Sequence, residues 1–411
     1  MNSFFCQSCG APLEHTFCDL GLSPISNAFI RQEDEAKGEM FYPLCAKVCS
    51  RCWLVQLSDS PKSEAHFHGD YVYFSSFSDS WLAHARSYVD AMVSRLALNG
   101  QSKVMEIASN DGYLLQYFVL RGIPCLGIEP TANTAAAARL KGVQTRECFF
   151  GSDTAAALSE DGWKVDLLLG NNVLAHVPDI NDFVAGMPRV LKPEGVVTLE
   201  FPHLLRLIAE NQFDTIYHEH YSYLSFTALF PVFARAGLRV FDVERLNTHG
   251  GSLRVFACLS SSSRAQTPAV QALLDEEVAA GLTRLETYVD FSERVRGTKR
   301  ALLSFAIDAK NNGMSMAAYG AAAKGNTLLN YCGIGTDFIE FVADKNPTKQ
   351  GCLLPGSRIP VVSPDLIRET KPDYLLILPW NIKDEVIKQM SDVREWGGKF
   401  VVPIPTVEVI S

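Results

Sequence analysis

Apolar residues recur along the chain at two periods, and the change of period marks its segments. From about Ser80 to Leu98, the residues Trp81, Leu82, Ala85, Tyr88, Val89, Met92 and Leu96 fall at helical spacing and predict an amphipathic helix. Short apolar runs then alternate with helical ones. Val104–Ile107, Cys125–Ile128, Val165–Leu169 and Val196–Glu200 predict strands; Leu114–Leu120 and Asn133–Leu140 predict helices. Such alternation implies a parallel sheet with helices on both faces. Thr267–Asn311 has almost no strand character and predicts one or two linking helices. The pattern then restarts, with strands over Met314–Tyr319, Phe338–Ala343, Tyr374–Leu378 and Lys399–Val402 and a short helix over Thr327–Tyr331. The fold class is α/β, with two Rossmann-like units. Residues 1–68 precede them as a small module whose apolar stretches are as short as Trp53-Leu54-Val55-Gln56-Leu57.

Composition sharpens this in three ways. The 411 residues suit two or three domains, and we expect boundaries at 1–68, 69–266 and 267–411. Lys+Arg 37 against Asp+Glu 46 leaves a net charge of -9, which argues against a nucleic-acid partner but not against an anionic small ligand. No apolar run reaches the roughly 18 residues of a membrane span, and Met1-Asn2-Ser3-Phe4-Phe5-Cys6 carries no basic, leader-like start. A cytoplasmic protein without a membrane partner is expected, as a monomer or weak dimer. Eleven cysteines in a reducing compartment do not form a disulfide framework.

Six of the cysteines fall within the first 52 residues. Cys6-Gln7-Ser8-Cys9 and Cys49-Ser50-Arg51-Cys52 are two CxxC turns, each aiming two thiolates at one point, and together they suit tetrahedral Zn2+. Cys18 and Cys45 are alternative ligands. Four thiolates leave no open coordination position, so the ion is expected to be structural. Its loss should then cost stability without a specific catalytic defect.

Val104-Met105-Glu106-Ile107-Ala108-Ser109-Asn110-Asp111-Gly112-Tyr113-Leu114 reads as strand, turn and helix start. With a single glycine it is a poor pyrophosphate cradle. An acidic strand end and a small-residue turn suit S-adenosylmethionine instead, approached by Glu106, Ala108, Ser109, Asn110, Gly112, Tyr113 and Leu114. Glu129 ends the next strand, where a carboxylate accepts both ribose hydroxyls. Asn171, Asn172 and Val173 leave a third strand toward the same crevice. Leu191-Lys192-Pro193-Glu194-Gly195 is a turn common before a methyltransferase strand.

With these motifs in order, the chain resembles the sugar C-methyltransferases that act on nucleotide-linked 4-keto-6-deoxysugars. The resemblance covers nearly the whole length. It rests on the paired CxxC module with Leu20-Gly21-Leu22-Ser23-Pro24-Ile25-Ser26-Asn27-Ala28-Phe29, on Tyr71-Val72-Tyr73-Phe74-Ser75-Ser76 and on the Glu106–Gly112 loop. It rests further on Tyr217-His218-Glu219-His220, His249-Gly250-Gly251-Ser252-Leu253-Arg254, the run Tyr319–Asn326 and Pro379-Trp380-Asn381. It implies a zinc-binding domain, an S-adenosylmethionine-binding domain and a C-terminal Rossmann-like domain without its own dinucleotide, with the sugar in the cleft between domains.

Methylation at carbon needs a carbanion-like nucleophile, and a neighbouring ketone makes one accessible to an enzyme base. His220 is the expected base, oriented by Glu219. His176 is a second acid–base candidate, Tyr217 a donor, and Tyr71 or Tyr73 a donor to the ketone or enolate oxygen. Ser75, Ser76, His249, Arg254, Lys324, Asn326 and Asn381 are expected at the substrate, with Lys324 and Asn326 at a helix start suited to phosphate. The expected reaction is methyl transfer to a dTDP-4-keto-6-deoxysugar. C3 and C5 both flank the ketone, and the resemblance favours C3. Two rivals stand beside it. Gly320 and Asp344 have the spacing of a dinucleotide site, which would make a nicotinamide-dependent nucleotide-sugar oxidoreductase. The zinc module could instead serve a non-catalytic ligand sensor.

Overall fold

The computed structural model describes residues 4–58 and 74–411. Tyr71 and Tyr73 lie outside the described residues. The N-terminal module is an antiparallel sheet of His15–Ser23, Tyr42–Val48 and Val55–Leu57. Its fourth strand comes from far along the chain: Ser222–Tyr223 pairs with Val55–Leu57. The buried face of this sheet packs on the long helix Leu285–Asn311, where Phe17 stacks on Phe291 with centroids 4.5 Å apart.

The central unit is a seven-stranded sheet in the order Leu238–Leu246, Ser252–Leu259, Leu191–Pro202, Val165–Asn171, Val104–Ile107, Cys125–Ile128, Gln144–Arg146. The last five strands of that order are parallel, and the first two form an antiparallel hairpin at one edge. Val104–Ile107 and Cys125–Ile128 are buried at every position, as central parallel strands covered on both faces must be. The helix Asp79–Leu96 lies against this sheet and is capped by Ser78, whose hydroxyl accepts from Trp81 N at 3.3 Å.

The C-terminal unit is a six-stranded sheet in the order Val361–Val362, Val342–Ala343, Met316–Tyr319, Tyr374–Ile377, Lys399–Val402, Glu408–Ile410, parallel except at the last strand. It is tied back to the N-terminal module by pairing of Cys352–Leu353 with Ile30–Arg31, and by Arg358 on Glu39 at 2.9 Å. Among the described residues, no helix is long and apolar enough to cross a membrane.

Thr267–Asn311 holds two helices, Pro268–Ala279 and Leu285–Asn311, within the one or two expected. Other elements differ from expectation. The predicted strand Phe338–Ala343 shortens to Val342–Ala343, and the predicted helix Thr327–Tyr331 lengthens to Ala323–Cys332, closed by Gly333 in the left-handed conformation. The hairpin Leu238–Leu246 with Ser252–Leu259 and the strand Gln144–Arg146 have no counterpart among the predicted elements.

Candidate active site and metal centre

The two CxxC turns meet. Cys6 Sγ lies 3.5 Å from Cys52 Sγ and Cys9 Sγ 3.5 Å from Cys49 Sγ, and all four sulfurs lie within 4.8 Å of one another. Four thiolates around tetrahedral zinc, each at the usual Zn–S length, would be about 3.8 Å apart, so the donor set fits that ion. Gln56 Nε2 donates to Cys6 Sγ at 3.2 Å and fixes one ligand from behind. Cys18 and Cys45 sit on the sheet strands, outside the cluster.

At the carboxyl ends of the parallel strands, the loop after Val104–Ile107 is wound tightly. Ala108, Asn110 and Gly112 all have positive φ, at 55°, 49° and 74°. Asn110 N donates to Glu129 Oε2 at 2.9 Å, and Thr131 N donates to Glu129 Oε1 at 2.9 Å. With the Thr131 hydroxyl also donating to Oε1 at 2.5 Å, this holds the Glu129 carboxylate at the end of Cys125–Ile128, with Oε2 the less occupied oxygen. Gly127 makes room for the loop: a Cβ there would lie 2.3 Å from Ser109 Oγ. Glu106 is fully buried, and burial drives its carboxyl well above the usual range, with the Tyr113 hydroxyl acting the other way. Leu114 lies in the apolar core beneath the loop. Asn171 closes the neighbouring strand with both amide atoms buried and without a partner, and Val173 is buried beside it. A crevice with an unpartnered buried amide, a held carboxylate and a left-handed loop fits S-adenosylmethionine. It lies where ligands bind in open α/β sheets.

Trp81 roofs this crevice. Its ring stacks on Tyr113 at 5.9 Å and on His84 at 4.9 Å, and meets His249 edge-on at 5.1 Å. Sequence reading places Trp81 in a helix core, and only its position one turn inside the helix start hints at more. Asn172 (φ 54°) donates through Nδ2 to His249 Nε2 at 2.6 Å, so His249 leans over the same crevice. Burial, followed by the charge of Lys324, pushes the His249 imidazolium down to about 4.

The Tyr217–His220 segment is a tight turn closed by His220 N on Tyr217 O at 2.9 Å. His220 Nδ1 donates to the Thr215 carbonyl at 2.8 Å, which leaves Nε2 as the lone-pair nitrogen; the Tyr217 hydroxyl donates to it at 2.8 Å. His176 lies edge-on to His220 at 4.6 Å. Burial, then His176, drives the His220 pKa well below the usual histidine value, so the ring is neutral. Glu219 is not its partner. Its carboxylate accepts instead from Asn27 Nδ2, at 2.7 Å on Oε1, and burial lifts the carboxyl to about 7. His218 is bonded elsewhere, to the Pro43 carbonyl at 3.2 Å.

The C-terminal unit supplies the facing wall. Lys324 Nζ donates to Asn381 Oδ1 at 2.7 Å and lies 4.8 Å over the Trp380 ring. Trp380 Nε1 donates to the buried Asp214 at 2.7 Å, one residue before Thr215. Lys324 acts electrostatically on Asp214, His220 and His249, so it faces the histidines as well as the cleft.

Some expected substrate residues are engaged elsewhere. Arg254 is committed to carboxylates: it sits in the sheet opposite Glu200 and pairs with it at 2.6 Å and with Glu244 at 2.8 Å. Ser75 is tied to the cofactor loop through its backbone, N donating to Asn110 Oδ1 at 3.0 Å, and Ser76 accepts at 2.5 Å from Lys141, which also pairs with Asp111 of that loop at 2.9 Å. Asn326, one turn into its helix, is buried; its Oδ1 accepts from Asn330 at 3.2 Å, while its Nδ2 has no partner among the described residues.

The dinucleotide rival meets an obstruction. Asp344 accepts from Ala321 N at 2.7 Å and Asn346 N at 2.8 Å, and Pro379 covers Gly320 so closely that a Cβ there would lie 2.5 Å from Pro379 Cδ. The glycine face that a pyrophosphate would approach is filled.

Against known proteins, residues 247–405 match the family described as "C-methyltransferase C-terminal domain". Residues 81–243 match a methyltransferase domain and 6–67 a zinc binding domain. The C-methyltransferase NovU of Streptomyces niveus is 37% identical over 409 residues, covering 99% of this chain and 96% of its own. The chain belongs to the S-adenosylmethionine-dependent sugar C-methyltransferase family. A ubiquinone biosynthesis O-methyltransferase of Bartonella tribocorum is 27% identical over 96 residues, 23% of this chain and 39% of its own. The magnesium protoporphyrin IX methyltransferase of Synechocystis PCC 6803, solved with bound S-adenosylmethionine, has a TM-score of 0.33 at 15% identity, covering 44% of this chain and 81% of its own. As a C-methyltransferase, the enzyme takes S-adenosylmethionine in the central unit and zinc in the N-terminal domain.

Proposed function

We propose that this C-methyltransferase acts on a dTDP-linked 4-keto-6-deoxysugar and methylates the carbon next to the ketone, C3, in the cytoplasm, as a step toward a branched deoxysugar. The observation that carries the reading is the locked imidazole. Thr215 holds Nδ1–H, burial keeps the ring neutral, and Nε2 offers its lone pair beside a phenol.

When the sugar enters, its acidic C–H takes the place of Tyr217 at Nε2. His220 accepts the proton, the C–H electron pair moves into the enolate, and the freed Tyr217 hydroxyl donates to the ketone oxygen, where charge builds. S-adenosylmethionine supplies an electrophilic methyl group. His176 stands ready beside His220 as the second acid–base group. Glu219, buried and without a cation, accepts from a sugar hydroxyl. His249 and Asn172 close the cofactor side, and Lys324 with Asn381 bounds the nucleotide side.

Solvent exchange of the sugar proton isolates the first step. His220→Ala should abolish exchange into dTDP-4-keto-6-deoxyglucose while S-adenosylhomocysteine still binds. Undiminished exchange would exclude His220 as the base.

A further inference from the structure

The zinc module reaches the reaction site through one loop. Between His15–Ser23 and Ile30–Arg31 the chain runs through Pro24, Ile25, Ser26, Asn27, Ala28 and Phe29. Two backbone bonds set its shape, Ala28 N to Ile25 O at 3.1 Å and Phe29 N to Asn27 O at 2.9 Å. The loop is wedged between the other two units. Ser26 is buried, with its hydroxyl 3.4 Å from Thr327 Oγ1 on the C-terminal helix Ala323–Cys332. The next residue turns to the methyltransferase side, where Asn27 Nδ2 donates to Glu219 Oε1 at 2.7 Å.

Glu219 is 3% exposed. Among the described residues, no other group donates to its carboxylate and no lysine or arginine pairs with it. The titratable groups around it look elsewhere: His218 is turned to Pro43, while Tyr217 and His220 are bonded to each other with His176 beyond them. A buried carboxylate with one donor owes both its direction and its charge to that donor.

We infer that Asn27 is a positioning residue that aims the Glu219 carboxylate at the sugar, so that the zinc module contributes to the active site instead of only stapling the fold. This rests on the reading of Glu219 as the group that faces the sugar.

The test uses the full zinc-loaded chain. The infrared band of the protonated Glu219 carboxyl, assigned by its loss in Glu219→Gln, is followed against pH. In Asn27→Ala the titration should move up by roughly one pH unit, the size expected for a lost bond to a charged group. kcat at pH 7 on dTDP-4-keto-6-deoxyglucose should fall roughly fivefold, the loss of ionised carboxylate when a group titrating near 7 moves up one unit, and recover toward higher pH. Ser26→Ala, which loosens the same loop on its other side, should move neither. Asn27→Ser carries the same expectation if Asn27→Ala does not fold. An unmoved band in the Asn27 variant, or an equal shift in Ser26→Ala, would overturn the inference. Should the wild-type enzyme turn over no ketosugar, the substrate reading fails, while the infrared titration still decides Asn27.

Discussion

Replacing Arg254 by methionine separates an arginine that binds substrate from one that holds the sheet together. Its guanidinium lies 4.8 Å from the Tyr88 ring centroid and gives Nε and Nη2 to Glu200 at 2.7 Å and 2.6 Å, with side-chain exposures of 8% and 1% for the pair. Methionine would fill much of the stem volume but leave Glu200 buried, with only His84 at 2.8 Å. Removing one partner of a buried pair costs about 3–5 kcal/mol. Because His84 stays, the lower end applies, and at roughly 2–4 °C per kcal/mol for a unit of this size the Tm falls by roughly 6–12 °C. Burial raises the Glu200 pKa, but His84 and Arg254 outweigh it, and the net shift is below the ordinary 4.5. The pair's contribution is therefore present above that value and is lost as pH falls through the lower folded-state pKa. The deficit of the variant should shrink in acid. Thermal melts carried from pH 7 to well below the ordinary carboxyl value of 4.5 read this directly, and Glu200→Leu combined with Arg254→Met should recover most of the loss. A variant that melts like wild type but loses sugar affinity would refute the reasoning.

Other expectations follow from the same contacts. Gly250→Ala would place a Cβ 2.6 Å from Trp380 Cη2 and 2.8 Å from Gln212 Nε2 at a φ of +87°. The left-handed conformation costs about 1–2 kcal/mol and the crowding about 1–3 more, so a lowered Tm and altered tryptophan fluorescence are expected, and a wild-type melt would contradict them. Zinc analysis should find one ion per chain, reduced in Cys49→Ser. Because Ser222–Tyr223 pairs into the zinc module two residues after His220, metal removal should lower activity together with Tm, and full activity without metal would contradict this. His249 is held neutral down to about pH 4. The unfolded chain takes up that proton near pH 6.5, so stability should fall by about 1.4 kcal/mol per pH unit on descending between the two values. Urea unfolding of His249→Asn should lose that slope, and an unchanged slope would count against a neutral His249.

The sequence carries the parallel core clearly, because Val104–Ile107, Cys125–Ile128 and Val165–Asn171 are short, mostly apolar runs bounded by turns. It carries the Leu238–Leu246 hairpin less clearly, since Arg239, Asp242, Glu244 and Arg245 interrupt the alternation until Arg95 and Arg254 pair with the two acids and Glu276 with Arg245. The Ser222–Tyr223 strand is two residues long and pairs across the chain, beyond any local periodicity. At the site, the cysteine pairs and the Tyr217–His220 cluster are legible as chemistry. Their partnerships are not. Which carbonyl fixes His220, which amide holds Glu219 and which carboxylates occupy Arg254 depend on contacts such as Asn27 with Glu219, far apart in sequence. Trp81, Asp214 and Trp380 are readable only as apolar or acidic positions until the units close on one another.

Methyl transfer to the carbon beside a C4 ketone is decided by product NMR after incubation with methyl-labelled S-adenosylmethionine and dTDP-4-keto-6-deoxyglucose. A labelled methyl on C3 with the C3 proton lost is expected. Label on an oxygen, or on C5 with the C3 proton retained, would overturn the proposed reaction.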